Sequence, residues 1–361
     1  MLNSFIRNPL KAFGSITITI VLLALIMCSS DKKQESLSTI SEKRLSVVID
    51  RILQEEAAIL PDSLIGIIIP FHGQLDSAAK VILSEKELYG DTFKKLDRLK
   101  KLIFNEWKIS FQDAPNKLQS IFPHQAFNAR QGSCLSISLI FLLLAEKLDL
   151  PLYGVLAPGH FFIRYDDGKI RLNIETLRKG EFMSDSWYRN RYMITDTNLY
   201  DLANLSVAAV EASIRYNLGN FYLKNYWPDL AIKQFNLAIE LNPSYIEAHG
   251  NRAIALDAAG NPDVALKSLL RLKKDYPQLA YLNQNLGALY LKQKNYSMAI
   301  YEYKNALSIV PSDTESLYGL GISYYYLNQM DKATEVLREL LRISPEHHEG
   351  NLILTALKRD Q

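Results

Sequence analysis

Hydrophobic positions in the second half of the chain recur at a fixed interval of 34 residues. When the chain is aligned with itself at this interval, alanines fall in one column and prolines in another: Ala231, Ala265, Ala299, Ala333 and Pro243, Pro277, Pro311, Pro345. Four further columns run in the same register: one of leucine, with Arg252 in the second repeat, one of glycine or alanine, and two of aromatic residues or leucine. Small residues let two helices touch, large side chains fill the space beside them, and proline ends the second helix of a pair. The pattern therefore predicts a stack of antiparallel helix pairs.

These columns match the tetratricopeptide repeat (TPR), and four repeats cover about residues 212–347. Residues 348–361 are helix-forming and polar at their end, which predicts a helix that caps the stack. The first helix of each pair is expected to line a concave face. Asparagine and lysine recur there in register: Asn217, Asn251, Asn285, Lys224 and Lys292. Amides both donate and accept hydrogen bonds, so the strip is a candidate site for a peptide or protein partner; the alternative is a solvated helix face.

Residues 42–205 follow different patterns. Apolar and charged residues alternate at helical spacing over 42–60 and 76–107. A continuous apolar run at 135–145 is too short to span a bilayer and predicts a helix buried on all sides. Three short extended segments follow, at 152–157, 160–165 and 169–174. The fold class expected for the chain is an α+β domain, papain-like in its order of elements, followed by an all-α TPR solenoid.

Candidate chemistry lies at the start of the buried helix. Ser133 is a suitable N-cap, which places Cys134 in the first turn, where free backbone N–H groups and the helix dipole favour a thiolate. His160 begins an extended segment, and the hairpin signal Asp166-Asp167-Gly168 brings its neighbourhood beside that of Glu175, just past the next segment. A lone cysteine in an apolar context is more often an inert core residue. The helix, histidine and acid around Cys134 favour a thiol site instead.

Several of these residues resemble a known family. Gly132-Ser133-Cys134, Pro158-Gly159-His160 and Asn173-Ile174-Glu175 are similar to motifs of the transglutaminase-like superfamily, in the bacterial branch whose core is often followed by TPRs. The resemblance implies a catalytic triad of Cys134, His160 and Glu175. Two departures argue against protein crosslinking specifically: the acid is glutamate where many relatives have aspartate, and Leu135 stands where crosslinking members commonly have tryptophan.

The expected reaction is attack of the thiolate on an amide or other acyl carbon to give a thioester. The backbone N–H of Cys134, with the side chain of Gln131 or Asn128, is the candidate oxyanion site. Water or an amine would release the acyl group, so both hydrolysis and acyl transfer remain open. The alternative from another class is a non-catalytic TPR adaptor with a vestigial core. No cofactor is expected, and no His/Cys cluster has metal-ligand spacing.

The first 28 residues resemble an export signal. Arg7 and Lys11 precede an apolar stretch that ends at Cys28, in a run similar to a bacterial lipobox apart from Met27. We therefore expect lipidation of Cys28, or an uncleaved signal anchor in its place, followed by a polar tether at 29–41. Either predicts an exported, membrane-anchored protein at the bacterial envelope, on the periplasmic side. The chain has 41 basic and 39 acidic residues, a balance that gives no reason to expect nucleic-acid binding.

Overall fold

Helices form the first part of the domain. The structure, a computed structural model, describes residues 44–60, 67–112, 117–194 and 202–359, and the predicted leader, Cys28 and the tether lie outside these ranges. Helices α1 (Leu45–Glu56), α2 (Ile68–Ser84) and α3 (Thr92–Lys100) are described here, and α3 continues as a π-helical turn, Lys101–Glu106. The helical pattern at 76–107 thus comprises two helices. The break follows from Gly90, whose φ is positive, and from Asp91, whose side chain caps α3 by accepting from the Lys94 N–H.

The predicted buried helix is present. A two-residue strand β1 (Ser110–Phe111), helix α4 (Pro123–Ala129) and a second short strand β2 (Gln131–Gly132) precede it, and β1 pairs with β2 in parallel. Helix α5 (Cys134–Leu148) follows, and all residues from 135 to 145 are buried. A helix that is apolar all round must be enclosed by other elements, as this one is.

An antiparallel sheet packs against α5. Its strands lie in chain order: β3 (Leu152–Ala157), β4 (His160–Asp166), β5 (Arg171–Glu175) and β6 (Glu181–Met183). Ala157 pairs with His160, so Pro158 and Gly159 alone turn β3 into β4, and Gly159 takes the positive φ that this turn needs. The structure ends β5 at Glu175 itself, one residue later than the predicted segment, and adds β6, which the sequence did not indicate. Helix α6 (Asp185–Arg191) follows the sheet.

The four predicted repeats and the cap are helix pairs followed by one helix. Their bounds are α7 (Val207–Lys224), α8 (Pro228–Leu241), α9 (Ile246–Ala258), α10 (Pro262–Asp275), α11 (Ala280–Lys292), α12 (Tyr296–Ile309), α13 (Thr314–Tyr326), α14 (Met330–Ile343) and α15 (His348–Arg359). A Cβ added at Gly219 would lie 2.6 Å from the Phe235 ring, and one at Gly321 would lie 2.8 Å from Leu337. The small residues are therefore needed for close contact between the two helices of a pair.

The first repeat shares a hydrophobic core with the α+β part. Buried residues of α1, α5 and β4 belong to one apolar cluster with Leu218, Tyr222 and Phe235 of the first repeat. Residues 45–361 accordingly form one compact unit, although the sequence predicts separate domains at 42–205 and 212–347. No helix of the described residues is both long and apolar enough to cross a membrane.

Ala299→Leu is expected to destabilise the repeats by overpacking. Ala299 on α12 is completely buried in the alanine column, and a leucine there must displace the facing helix. We expect a loss of ~1–3 kcal/mol in the free energy of unfolding, measured by urea denaturation. Ala288→Leu is the matched control, because Ala288 is exposed on the neighbouring helix α11 and its substitution should change stability by no more than ~0.5 kcal/mol. Equal effects of the two variants would contradict the assignment of Ala299 to a close helix contact.

Candidate active site

Cys134 is the first residue of α5, and its position is fixed by a capping box. The Ser133 side chain accepts from the N–H groups of Leu135 (3.1 Å) and Ser136 (3.3 Å), and the Ser136 hydroxyl accepts from the Ser133 N–H (2.9 Å). The Ser133 hydroxyl also donates to the Ser120 carbonyl at 2.6 Å. Such a capping box satisfies free N–H groups of the first turn and fixes its backbone. The half-buried Cys134 thiol is free of any disulfide.

His160 and Glu175 form a buried pair on adjacent strands. His160 Nε2 lies 2.8 Å from Glu175 Oε2, and the two residues are 4% and 1% exposed. The second carboxylate oxygen accepts from the Leu177 N–H at 2.9 Å, so both oxygens of Glu175 are held. With Nε2 engaged by the acid, the other ring nitrogen of His160 is left for Cys134, which lines the same cavity and is close enough to raise the pKa of the ring. The structure thus brings all three predicted triad residues together.

The electrostatics of the group favour a charged imidazole. Burial by itself lowers the pKa of His160, but the hydrogen bonds and negative charges of Cys134 and Glu175 outweigh it and raise that pKa to about 9. An imidazolium therefore persists through neutral pH in this pocket. A cation beside a thiol at a helix N-terminus favours the thiolate form.

An aromatic stack encloses the histidine. The Tyr192 ring, after α6, lies parallel to the His160 ring with centroids 4.8 Å apart and an interplanar angle of 10°. On β4 and α6, the rings of Phe162 and Tyr188 also stack, with centroids 3.7 Å apart. Burial and the nearby Glu175 charge raise the pKa of both tyrosines. The sequence interpretation missed Tyr192; the only signal for it was the aromatic density of 187–192.

The thiol opens into a cavity of about 170 Å³ whose far wall is the first repeats. Cys134, Gly159 and His160 line one side, and α7 and the start of α9 line the other, with these residues: Ser213, Tyr216, Asn217, Asn220, Tyr245 and Glu247. The first helices of the first two repeats therefore lie opposite the thiol. The sequence placed Cys134 and Asn217 in separate candidate sites and did not indicate that they line one cavity.

The two side chains predicted for an oxyanion site lie elsewhere. Gln131 and Asn128 are exposed, and neither is among the described residues that line the cavity. The backbone N–H of Cys134 remains a candidate donor, since the structure gives it no acceptor among the residues it describes. A first-turn N–H of this kind is oriented outwards along the helix axis.

The asparagine strip differs from its expected form. Asn217, Asn251 and Asn285 are each half-buried, whereas side chains that bind a peptide backbone would have to be accessible. Asn217 donates to the Ser213 carbonyl on its own helix at 2.8 Å, and Asn251 donates to Asn220 at 2.7 Å. Consecutive first helices lie close enough for the Asn251 amide to reach Asn220 and the Tyr216 hydroxyl of the preceding repeat. Among the three, Asn217 lines the thiol cavity.

The two predicted lysines are exposed on the repeats. Lys292 donates to Asp257 of the preceding repeat at 2.7 Å, so it links neighbouring repeats. Lys224 ends α7 and does not line the thiol cavity. Within the described part of the chain, no group of three or more His, Cys, Asp or Glu residues is arranged to hold a metal ion.

A helix-borne cysteine, a strand-borne histidine and a carboxylate on the next strand define an α+β core of papain-like order. Comparison with known families agrees with this class. Residues 70–211 match the transglutaminase-like superfamily, and TPR families match residues 212–245, 287–328 and 315–347. The chain therefore carries a transglutaminase-like core followed by tetratricopeptide repeats.

Curated relatives match part of the chain. A UPF0162 protein of Pseudomonas aeruginosa is 28% identical over 49% of this chain and 67% of its own length, and the UPF0162 protein YchA of Escherichia coli is 26% identical over 41% and 57%. Human Protein O-mannosyl-transferase TMTC3 is 32% identical over 39% of this chain. The chain spans only 16% of the human protein and 57% of the E. coli protein.

Solved structures also match part of the chain. The MamA protein of Desulfovibrio magneticus RS-1 covers 41% of this chain and 84% of its own, at 21% identity and a TM-score of 0.36. The pilF protein of Pseudomonas aeruginosa covers 41% and 68%, at 20% identity and a TM-score of 0.39.

Proposed function

We propose that this protein is a cysteine-dependent amide hydrolase or acyltransferase whose repeats bind a polypeptide substrate. The observation that carries the proposal is the buried His160–Glu175 pair, 2.8 Å apart, with Cys134 beside the same imidazole at the mouth of a cavity. A merely structural cysteine needs neither an oriented imidazole nor a carboxylate with both oxygens held. Thiol catalysis needs a nucleophile, a base next to it, and an acid that orients the base.

The proposed first half-reaction forms a thioester. The Cys134 sulfur bonds to the acyl carbon of an amide, the C–N bond breaks, and the His160 imidazolium gives its proton to the departing amine. Glu175 keeps the ring in the orientation this transfer needs. The Cys134 N–H stabilises the oxyanion of the tetrahedral intermediate.

The second half-reaction releases the acyl group. His160, now neutral, takes a proton from water or from an acceptor amine, which attacks the thioester and restores the Cys134 thiolate. Water gives a carboxylic acid and an amine gives a new amide. The first repeats form the wall of the cavity opposite Cys134, so donor and acceptor would both lie between that wall and the thiol.

An acylating probe tests the proposal. A thiol-directed acylating reagent such as a p-nitrophenyl ester is expected to acylate the protein once, at Cys134. The adduct should appear as a transient mass increase in intact-mass spectrometry. Cys134→Ala should abolish the adduct and Cys134→Ser should greatly slow it. Labelling that is equal in the parent chain and Cys134→Ala would leave the second candidate, a non-catalytic TPR adaptor, as the better account.

Anchoring at the bacterial envelope is proposed on the leader sequence alone. If Cys28 is lipidated, Cys28→Ala is expected to abolish fatty-acid labelling in an expressing bacterium and to move the protein from the detergent phase to the aqueous phase. Cys134→Ala is the control, since it removes the other cysteine of the chain and should leave labelling intact. Labelling that survives Cys28→Ala would rule out this lipid anchor, and detergent partitioning without labelling would point to the uncleaved signal anchor.

A further inference from the structure

A second cavity, of about 620 Å³, adjoins the thiol site. On one side it is lined by Pro158 and by residues at and after the end of α6, including Tyr192 and Met193; on the other side it is lined by the third and fourth repeats. Its volume lies within the range of ligand pockets in proteins, ~300–1,000 Å³. The thiol cavity, at about 170 Å³, holds far less. A substrate bound at Cys134 therefore has space beside it for a further group.

The two cavities share structural elements. Pro158 lines the larger one, and the next two residues, Gly159 and His160, line the smaller. Tyr192 lines the larger cavity while its ring stacks on His160 at 4.8 Å. A ligand group that contacts Tyr192 in the larger cavity is therefore separated from the His160 imidazole only by the Tyr192 ring.

The lining of the larger cavity is mostly hydrocarbon. Leu279, Ile309 and Val310 come from the repeats, and Met193 faces them from the catalytic side. Met193 is 63% exposed and Ile309 is 38% exposed, so an apolar occupant would remove their hydrocarbon from water. The polar side chains of the lining are Arg189, Asn190, Gln278, Gln284 and Asp313, one cation and one anion among them, and they are a minority of it. The chemistry favours an aromatic or branched aliphatic group over a charged one.

We propose that the larger cavity is a specificity subsite that binds a bulky apolar side chain of a polypeptide substrate, next to the residue whose acyl carbon reacts with Cys134. The inference rests on the proposed thiol chemistry and names the substrate class. A polypeptide is favoured over a small free molecule because the two cavities lie side by side along the repeats. One chain can fill both, with its backbone beside the amides of Asn217 and Asn220.

Peptide probes test this subsite. Acetyl-X-glycyl chloromethyl ketones, with X as Phe, Leu, Gly or Asp, place the varied side chain one residue from the carbon that alkylates Cys134. We expect the Phe and Leu probes to react at least about tenfold faster than the Gly and Asp probes, the usual discrimination of an apolar pocket. Second-order rates are measured by intact-mass spectrometry on the full chain.

Filling the cavity should remove the preference. Ala280→Trp places a large ring in the cavity from the start of α11, and Val310→Trp places one there from the end of α12. If one variant fails to fold, the other still tests the subsite. Ala258→Trp is the matched control, because Ala258 is exposed on α9 and does not line the cavity. It should retain the full preference for Phe and Leu.

Iodoacetamide, which needs no subsite, separates the two proposals. The thiol site stands if iodoacetamide alkylates Cys134 faster in the parent chain than in His160→Ala. The subsite is nevertheless overturned if the peptide probes show no preference for Phe and Leu, or if both Ala280→Trp and Val310→Trp keep that preference. If iodoacetamide reacts as with an ordinary thiol in both proteins, the proposed function itself fails. Preference in the parent and Ala258→Trp, lost in the filled variants at unchanged iodoacetamide rates, supports the subsite.

Discussion

His160→Ala is expected to slow alkylation of Cys134 by iodoacetamide at pH 7 by up to about thirtyfold. An ordinary thiol, with a pKa of ~8.5, is only about 3% ionised at that pH, and the thiolate is the reactive form. In the parent chain the charged His160 imidazole, which lines the same cavity as Cys134, supplies positive charge that would attract an anionic sulfur. Removing the ring leaves only the helix N-terminus to do so.

The difference in alkylation rate between the parent chain and His160→Ala should decrease at high pH. The folded-state pKa of His160 is raised to about 9 from an ordinary 6.5, so the ring stays charged below that value and loses its proton as the pH rises through it. The parent chain should therefore react faster than the variant at neutral pH, and this advantage should be lost as the pH rises through about 9. Above pH 9 an ordinary thiol is itself ionised, and the two rates should converge.

Two variants control this experiment. Glu175→Gln keeps the size of the side chain but removes the charge that supports the imidazolium, so its rate at pH 7 should fall between those of the parent and His160→Ala. His72→Ala removes a histidine that pairs with Asp50 at 3.0 Å and does not line the thiol cavity, and should leave the rate unchanged. Equal rates for the parent and His160→Ala at pH 7 would contradict an activated thiol.

The parts of the site that could be predicted are those encoded locally. Ser133 caps its own helix within three residues, and Pro158-Gly159 and Asp167-Gly168 turn strands over two to four residues. Such signals involve neighbours in the chain, so the helix start at Cys134 and the pairing of His160 with Glu175 could be predicted from patterning and turn chemistry, while their grouping as one triad rested on the family resemblance. The 34-residue ladders are also local in this sense, because each repeat packs mainly on the next.

The parts that could not be predicted depend on contacts distant in sequence. The wall formed by Tyr216 and Glu247 opposite Cys134 depends on how the first repeats dock, and periodicity carries no information about docking. The same holds for Tyr192, whose stacking on His160 follows from the placement of α6. The asparagine column was visible, but not that Asn251 would bond to Asn220 on the preceding repeat.

Docking of the repeats depends on a buried polar network at the first of them. Arg215 of α7 is 1% exposed and donates to Glu55 of α1 at 2.5 Å and to Glu211 at 3.2 Å. Nearby, Glu56 is fully buried and accepts from Gln234 at 2.7 Å and from the Tyr222 hydroxyl. These bonds join the first described helix of the core to the first repeat, which also carries one wall of the thiol cavity.

Arg215→Met is accordingly expected to lower the free energy of unfolding by about 3 kcal/mol or more. Methionine fills much of the volume but leaves the buried Glu211 with Arg51 as its remaining cation, at 2.6 Å. Removing one partner of a buried ionic network costs ~3–5 kcal/mol because the other charges stay desolvated. Urea denaturation followed by circular dichroism and by tryptophan fluorescence measures the loss. Both signals should shift together, because core and first repeat share one apolar cluster.

Arg342→Met provides the matched control in the last repeat. Arg342 donates to Glu339 through two nitrogens, at 2.7 and 2.8 Å, but the side chains are 71% and 43% exposed, so solvent already screens the pair. Its loss should leave the free energy of unfolding essentially unchanged. A similarly small effect of Arg215→Met would contradict a buried linkage. A large cost seen by one spectroscopic signal and not the other would show that the repeats unfold independently, and the wall opposite Cys134 would then lack a rigid attachment.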